Sequence, residues 1–151
     1  MHALGVLTIV GAALVACSGG GDEPVPCGDD PADQAECAAA AGFGVLEGVT
    51  VTGAERTESA EDQQIRFVLS GKPEAIDAAL AAAGFTATFT DGVDPDVDVG
   101  GDVDVSQASN VRSASDTWMS PDGGGFARHV LRTQMQPDFT DETVFVSAES
   151  A

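Results

Sequence analysis

The chain has 151 residues, of which 25 are Asp or Glu and only 6 are Lys or Arg, giving a formal net charge of −19 at pH 7. Nucleic acids and anionic lipid headgroups are bound by neutralising their phosphates with Lys and Arg, so this composition excludes nucleic-acid binding. It favours cations or basic partners instead. The length is sufficient for one modest hydrophobic core and not for two.

An apolar run over residues 4–16 ends at Cys17 and is followed by a glycine-rich stretch. The run is shorter than the ~20 residues that span a bilayer, which is typical of the apolar core of a signal peptide. Leu14, Ala16 and Cys17 resemble the lipobox of bacterial lipoprotein signal peptides. That resemblance implies cleavage before Cys17, a diacylglyceryl group on its sulfur, and a protein anchored by lipid at the extracytoplasmic face of the cell membrane.

Two observations bear on the prediction of a signal peptide. The three residues before the apolar run include no Lys or Arg, so either the start of the protein lies further upstream or the signal is a weak one. The alternative to a signal is a buried N-terminal helix with an incidental cysteine. The glycines that follow Cys17 suit a tether better than a helix, which favours lipid attachment.

Two further cysteines, Cys27 and Cys37, follow the lipobox. In an exported protein such an even pair indicates a disulfide, which we expect to close a short loop and to stabilise the fold by ~2–3 kcal/mol. A zinc or redox site is disfavoured, because the two cysteines are well separated in sequence and no histidine lies near them.

The chain divides into three parts. Residues 1–16 form the signal peptide, and residues 17–42 form an acidic tether rich in Gly and Pro. The tether contains a short helix that is predicted to begin at Pro31 and to end before Gly42. Residues 43–151 form a single small α+β domain.

In this domain we predict one main helix packed on an antiparallel or mixed sheet of about five strands. The helix begins at Pro73 and ends before Gly84, with its apolar residues along one face. Alternation of apolar and polar residues predicts the strands. They cover residues 49–52, 65–70, 85–90, 126–135 and 143–148. A turn at residues 120–123 precedes the fourth strand, because Pro presets the backbone there and Gly supplies a positive φ.

An acidic segment runs from Asp91 to Asp104 and contains no Lys or Arg. Hard cations such as Ca²⁺ bind several carboxylate oxygens, and the segment offers five candidates. These are Asp94, Asp96, Asp98, Asp102 and Asp104. The spacing of the first three matches an EF-hand loop, but Val99 and Val105 stand where Gly and Glu are required. A hairpin at the Gly-Gly pair would mix Val and Asp on each face. A mobile, solvated loop is preferred, and a calcium site is the alternative.

Four residues near the C-terminal strands are candidates for ligand binding. Asp116 and Trp118 are suited to line a site, although a lone Trp beside a turn more often caps the core. If residues 126–135 form a strand, Arg128 and Arg132 share one face and can bind an anion or the domain's own carboxylates. Internal pairing is preferred, since acids greatly outnumber bases, and exposed pairs would contribute only ~0–1 kcal/mol each.

No motif in the chain identifies a reaction or a cofactor. His129 has no catalytic frame such as Gly-x-Ser-x-Gly or His-Glu-x-x-His around it, and is interpreted as a surface or strand histidine. An enzyme would require a pocket in which Asp116, His129 and a Ser or Thr hydroxyl converge.

The order of lipobox, acidic tether and compact domain, with the stretch at residues 113–123, is similar to small secreted lipoproteins of actinobacterial type that have no assigned activity. This resemblance implies a location and no mechanism. We interpret the chain as a non-catalytic, lipid-anchored domain of the cell envelope that binds a protein or a small ligand at the cell surface. It would contact the membrane through its lipid only. A calcium-dependent binding or structural protein is the second hypothesis, and an envelope enzyme is the third.

Overall fold

The computed structural model of the protein describes residues 23–58, 62–93, 103–135 and 140–151. Two of the sequence predictions lie outside these ranges. They concern the signal peptide with Cys17, and four aspartates of the acidic segment, namely Asp94, Asp96, Asp98 and Asp102.

The described residues form a seven-stranded sheet in which every neighbouring pair of strands is antiparallel. The strands are β1 (Val25–Pro26), β2 (Val49–Glu58), β3 (Gln63–Gly71), β4 (Thr90–Asp91), β5 (Ser109–Met119), β6 (Gly125–Gln134) and β7 (Glu142–Ser150). Their order across the sheet is β1-β2-β3-β7-β6-β5-β4. Two helices, α1 (Pro31–Ala40) and α2 (Pro73–Ala82), pack on one face. Neither helix in the described ranges is long and apolar enough to cross a bilayer.

Both predicted helices are present, and their ends follow from local sequence. Before α1, the Asp30 carboxylate accepts a hydrogen bond from the Ala32 amide at 3.0 Å, while Pro31 occupies the first turn. The α2 helix begins at Pro73 and stops before Gly84, whose φ is +68°. Each helix has ten residues, so the expectation of one main helix is wrong.

The α+β class is confirmed in outline, but the sheet is larger than the five strands that the sequence predicts. Strands β1 and β4 have two residues each, too few for an alternating pattern. Strand β5 is missed because its sequence is rich in Ser, Asn and Asp, which have low strand propensity. The strand predicted over residues 85–90 is wrong except at Thr90, because residues 85–89 form no strand.

The core lies between the helices and the facing side of the sheet. Phe43 and Phe67 meet edge to face there, with ring centroids 5.3 Å apart. Ala38 and Ala41 are fully buried, which allows α1 to lie close to the sheet. The strands contribute aliphatic side chains that are almost completely buried, namely Ile65, Leu69, Val130, Val144 and Val146. Burial of this continuous apolar surface is the main stabilising contribution to the domain.

Residues 25–42, which the sequence assigns to the tether, take part in this fold. Strand β1 pairs with β2, and α1 packs on β2 and β3. The Cα atoms of Cys27 and Cys37 lie 6.2 Å apart, with their sulfur atoms at disulfide-bonding distance, as the sequence predicts. The pair connects the residue after β1 to the buried side of α1, since Cys37 is 6% exposed.

The opposite face of the sheet is covered by neither described helix. Both polar residues and the apolar side chains of Val68, Phe145 and Leu131 lie on it, and Leu131 is only 1% exposed. The registers place one row of side chains across five neighbouring strands, β5, β6, β7, β3 and β2. We refer to this set as the polar row. It consists of Ser115, His129, Ser147, Arg66 and Glu55.

Candidate functional site

Arg128 and Asp116 form an ion pair on the helix-covered face of the sheet. They are opposite each other in the register of β6 and β5. The Nε and Nη2 atoms of Arg128 donate to Oδ1 and Oδ2 of Asp116 at 2.8 Å and 2.5 Å. This bidentate geometry is the strongest form of an arginine–carboxylate contact.

The same guanidinium binds the C-terminal ends of both helices. Its Nη1 donates to the carbonyl oxygens of Ala41, at 3.3 Å, and Ala83, at 3.0 Å, which are the C-cap residues of α1 and α2. The carbonyl end of a helix carries partial negative charge, so a cation is favourable at both positions. We call Arg128, Asp116 and these two carbonyls the Arg128 cluster.

Aromatic rings surround the buried guanidinium. Its carbon lies 5.5 Å from the ring of Phe43, 5.4 Å from Phe85 and 5.5 Å from Trp118. Gly42 is required at the edge of this group, because a Cβ there would lie 2.8 Å from Trp118 Cε2 and 2.9 Å from Arg128 Nη1. Its φ of +92° also favours glycine.

Three of the four candidate ligand residues, Asp116, Trp118 and Arg128, are therefore brought together. Arg128 is 0% exposed, and its Nε, Nη1 and Nη2 all donate hydrogen bonds within the protein. Internal pairing, which the sequence favours, is what the structure has, but the expectation that the pair is exposed is wrong. In this arrangement Arg128 holds two helices on the sheet and presents no guanidinium edge to a ligand.

The fourth candidate, Arg132, lies in a separate cluster on the same face. Its Nε donates to Glu142 Oε2 at 2.8 Å, its Nη1 lies 2.8 Å from Asp77 Oδ1, and its guanidinium carbon lies 5.2 Å from the Phe89 ring. Arg112 reaches the other oxygen of Glu142 at 3.5 Å. These contacts connect β6 to β7 and α2, and each of the two arginines in β6 has its own carboxylate partner.

His129 and Asp116 lie on opposite faces of the sheet. The Nδ1 atom of His129 is 2.9 Å from the Ser115 hydroxyl, within the polar row. Asp116 points to the other face, where Arg128 holds it. The acid, base and hydroxyl that an enzymatic site would require are therefore not brought to one place.

Two buried polar atoms of the polar row have no hydrogen-bond partner among the described residues. They are the Ser147 hydroxyl and the Arg66 Nε, which belong to directly opposed residues of β7 and β3. Arg66 Nη1 is 3.9 Å from a carboxylate oxygen of Glu55. At each of the two ends of the polar row, neighbouring side chains are thus in contact with each other. In its middle, two buried polar atoms lack a hydrogen-bond partner among the described residues.

The described ends of the acidic segment show no ion-binding geometry. Asp104 is exposed, and hydrogen bonds from the side chain and the backbone amide of Ser106 hold its pKa below the ordinary value. Within the ranges that the structure describes, no three His, Cys, Asp or Glu side chains are grouped so that they could hold a metal ion.

A cleft that sequence analysis missed lies between the outer edge of β2 and the start of α1. Its volume is about 760 Å³. The residues 49–55 form one wall, and Gly28, Asp29, Pro31 and Gln34 form the other. We call it the β2 cleft. The sequence pattern could not predict it, because it depends on β1 pairing with β2 over only two residues before α1 begins at Pro31.

Comparison with known proteins gives no relative for this chain: no family model, no curated protein and no solved structure matches it.

The β2 cleft combines an apolar floor with acidic margins. Leu46 and Val49 are half-buried on its floor. The charged residues among its described lining are Asp29 and Glu55. The Glu55 carboxylate belongs to the polar row, where it is 3.9 Å from Arg66 Nη1. Concave sites with mostly apolar linings and a few polar groups are typical of ligand-binding pockets. The cleft can therefore hold an apolar group and attract a positive charge next to it.

Proposed function

We propose that the protein is a non-catalytic binding domain that a lipid on Cys17 holds at the extracytoplasmic face of the cell membrane. The observation that carries the proposal is the β2 cleft. It lies in the same part of the domain as β1, which directly follows residues 17–24 of the predicted tether. A binding site in that position would remain within reach of partners at the membrane surface.

The arrangement of the polar side chains supports a non-catalytic role. Arg128 and Arg132 are used in buried contacts with carboxylates of the domain itself. The separation of His129 from Asp116 by the sheet leaves the Ser115–His129 pair without an orienting acid from that residue. Ligand binding in the β2 cleft requires none of these side chains, because other residues line the cleft.

Site-specific photo-cross-linking in the native envelope tests this proposal. A photoreactive side chain at Thr50, which lines the β2 cleft, is expected to give a specific cross-linked product. The matched control is the same side chain at Thr117, an exposed position of β5 that is four strands away in the sheet. Equal products at both positions, or none at Thr50, would contradict the proposal.

A further inference from the structure

We infer that the β2 cleft binds an extended, basic segment of a partner polypeptide, which adds a strand to the uncovered edge of β2. The inference rests on the proposed function, because it names the kind of partner that the same cleft would bind. Three features of the cleft support it: uncovered strand backbone, an apolar floor and acidic margins.

The chain covers the outer edge of β2 from Ala54 onward, and at the other end the Val49 amide donates to the Leu46 carbonyl at 3.1 Å. The Cys27 amide donates to the Ala54 carbonyl at 2.9 Å, and β1 pairs with the two residues beyond it. The Ala54 amide donates to Gln34 Oε1 at 2.7 Å, so at this residue a side chain takes the place of a neighbouring strand. Over residues 49–53, no described strand pairs with this edge.

The uncovered stretch has the sequence Val-Thr-Val-Thr over residues 49–52 and ends at a bulge between Thr52 and Glu55. β-Branched residues have high strand propensity, and this stretch has none of the charges or prolines that usually protect an edge. Along a strand, the N–H and C=O groups of every second residue point to one neighbouring strand, and those of the residues between them point to the other side. Because the Val49 amide is already bonded to Leu46, the next outward-facing donor and acceptor that the edge presents to the cleft are those of Val51.

The side chains along the cleft define the partner. Successive residues of an added strand point to opposite faces, so one alternate set would meet the apolar floor at Leu46 and Val49. The other set would point to the face that carries Glu55, whose carboxylate is 3.9 Å from Arg66 Nη1. Asp29 adds a second carboxylate on the opposite wall of the cleft. An alternation of apolar and basic residues satisfies both sides. The net charge of −19 also steers a basic segment toward this protein.

Two other occupants fit the cleft less well. A second copy of the chain would bring two acidic margins together, each on a molecule with a formal charge of −19. The chain upstream of β1 would have to reverse direction, because Val25 already lies opposite Arg56, beyond the uncovered stretch. It is also acidic at Asp22 and Glu23, so charge disfavours it.

Binding of synthetic peptides to the full chain tests the inference. The chain carries Cys17→Ala, and its Cys27–Cys37 pair is kept oxidised. The probe is a short fluorescent peptide of alternating lysine and valine, and binding is followed by anisotropy. A peptide with glutamate in place of lysine is expected to bind at least about tenfold more weakly. Added salt is expected to weaken the lysine peptide, since the attraction between exposed charges is screened.

Backbone methylation distinguishes strand addition from other binding modes. An added strand directs only one alternate set of its amides to β2. Methylating that set is expected to weaken the lysine peptide about tenfold or more, while methylating the other set leaves its affinity nearly unchanged. Equal affinities of the two methylated peptides would overturn strand addition and would leave the proposed binding role of the cleft intact.

Charge reversal on the protein locates the peptide. Asp29→Lys is expected to weaken the lysine peptide about tenfold. Asp122→Lys changes the net charge equally at an exposed turn outside the cleft, and its affinity should match that of the parent chain. The inference would be overturned if the two variants had equal effects or if the lysine peptide did not bind. Self-association of the chain through this edge would also overturn it.

Discussion

The guanidinium of Arg128 forms a bidentate ion pair with Asp116 directly beneath the C-terminal ends of both helices. The two residues are 12 positions apart in sequence and opposite each other in neighbouring strands. The pair fixes α1 and α2 to the sheet through one side chain, so residues from three distant parts of the chain depend on it.

Arg128→Met is expected to reduce the free energy of unfolding by about 3–5 kcal/mol, because it leaves the Asp116 carboxylate without its buried partner. Urea denaturation gives the measurement. Arg66→Met is the matched control, since the ion pair of Arg66 with Glu55 is longer and partly exposed, and it should cost less than about 1 kcal/mol. Equal losses in the two variants would show that the Arg128 cluster has no special role in stability.

The sequence predicts both helices well, because the residues that begin and end them act locally. Asp30, Pro31, Pro73 and Gly84 act within one or two turns of where they stand. Strand β5 is hard to predict for the opposite reason. Asn110 has a φ of +51°, and the register shifts between Ser109 and Arg112, so alternation fails at its start.

The Arg128 cluster could be predicted only in part. Alternation in β6 places Arg128 and Arg132 on one face, which is observed. The carbonyl partners Ala41 and Ala83 are 87 and 45 positions away, and they carry no side-chain signal for this role. The β2 cleft is missed for a similar reason, since it is made of backbone edges and small residues that only the topology brings together.

The Cys27–Cys37 pair is expected to be a disulfide in the exported protein. Replacing both cysteines with alanine should lower the free energy of unfolding by ~2–3 kcal/mol, because the unfolded chain gains entropy when the loop is opened. Mass spectrometry without reduction checks the bond directly. Two free thiols in the exported protein would contradict the prediction.

Cys17→Ala is expected to abolish lipid attachment, because neither Cys27 nor Cys37 follows a lipobox. Metabolic labelling with a fatty acid checks this, and a variant with alanine at Cys27 and Cys37 provides a control that should still be labelled. Label that persists on Cys17→Ala would show that the apolar run is not a lipoprotein signal.

Substitutions in the acidic segment distinguish a non-catalytic binding domain from a calcium-dependent protein, the two leading hypotheses. Replacing Asp96, Asp98 and Asp102 with asparagine is expected to leave the melting temperature unchanged or slightly higher, because the chain carries a formal charge of −19 and loses mutual repulsion. Millimolar calcium should bind weakly, since the residues that an EF-hand needs at its sixth and twelfth positions are absent.

Calorimetric titration with calcium and thermal denaturation give the two measurements. The matched control replaces three exposed acids elsewhere with their amides, namely Glu47, Asp122 and Asp141, so that the net charge changes equally. Because charge reduction alone acts on both variants, only a specific cation site can separate them. Micromolar calcium affinity that is lost in the first variant and kept in the control would make the calcium-dependent hypothesis the better one.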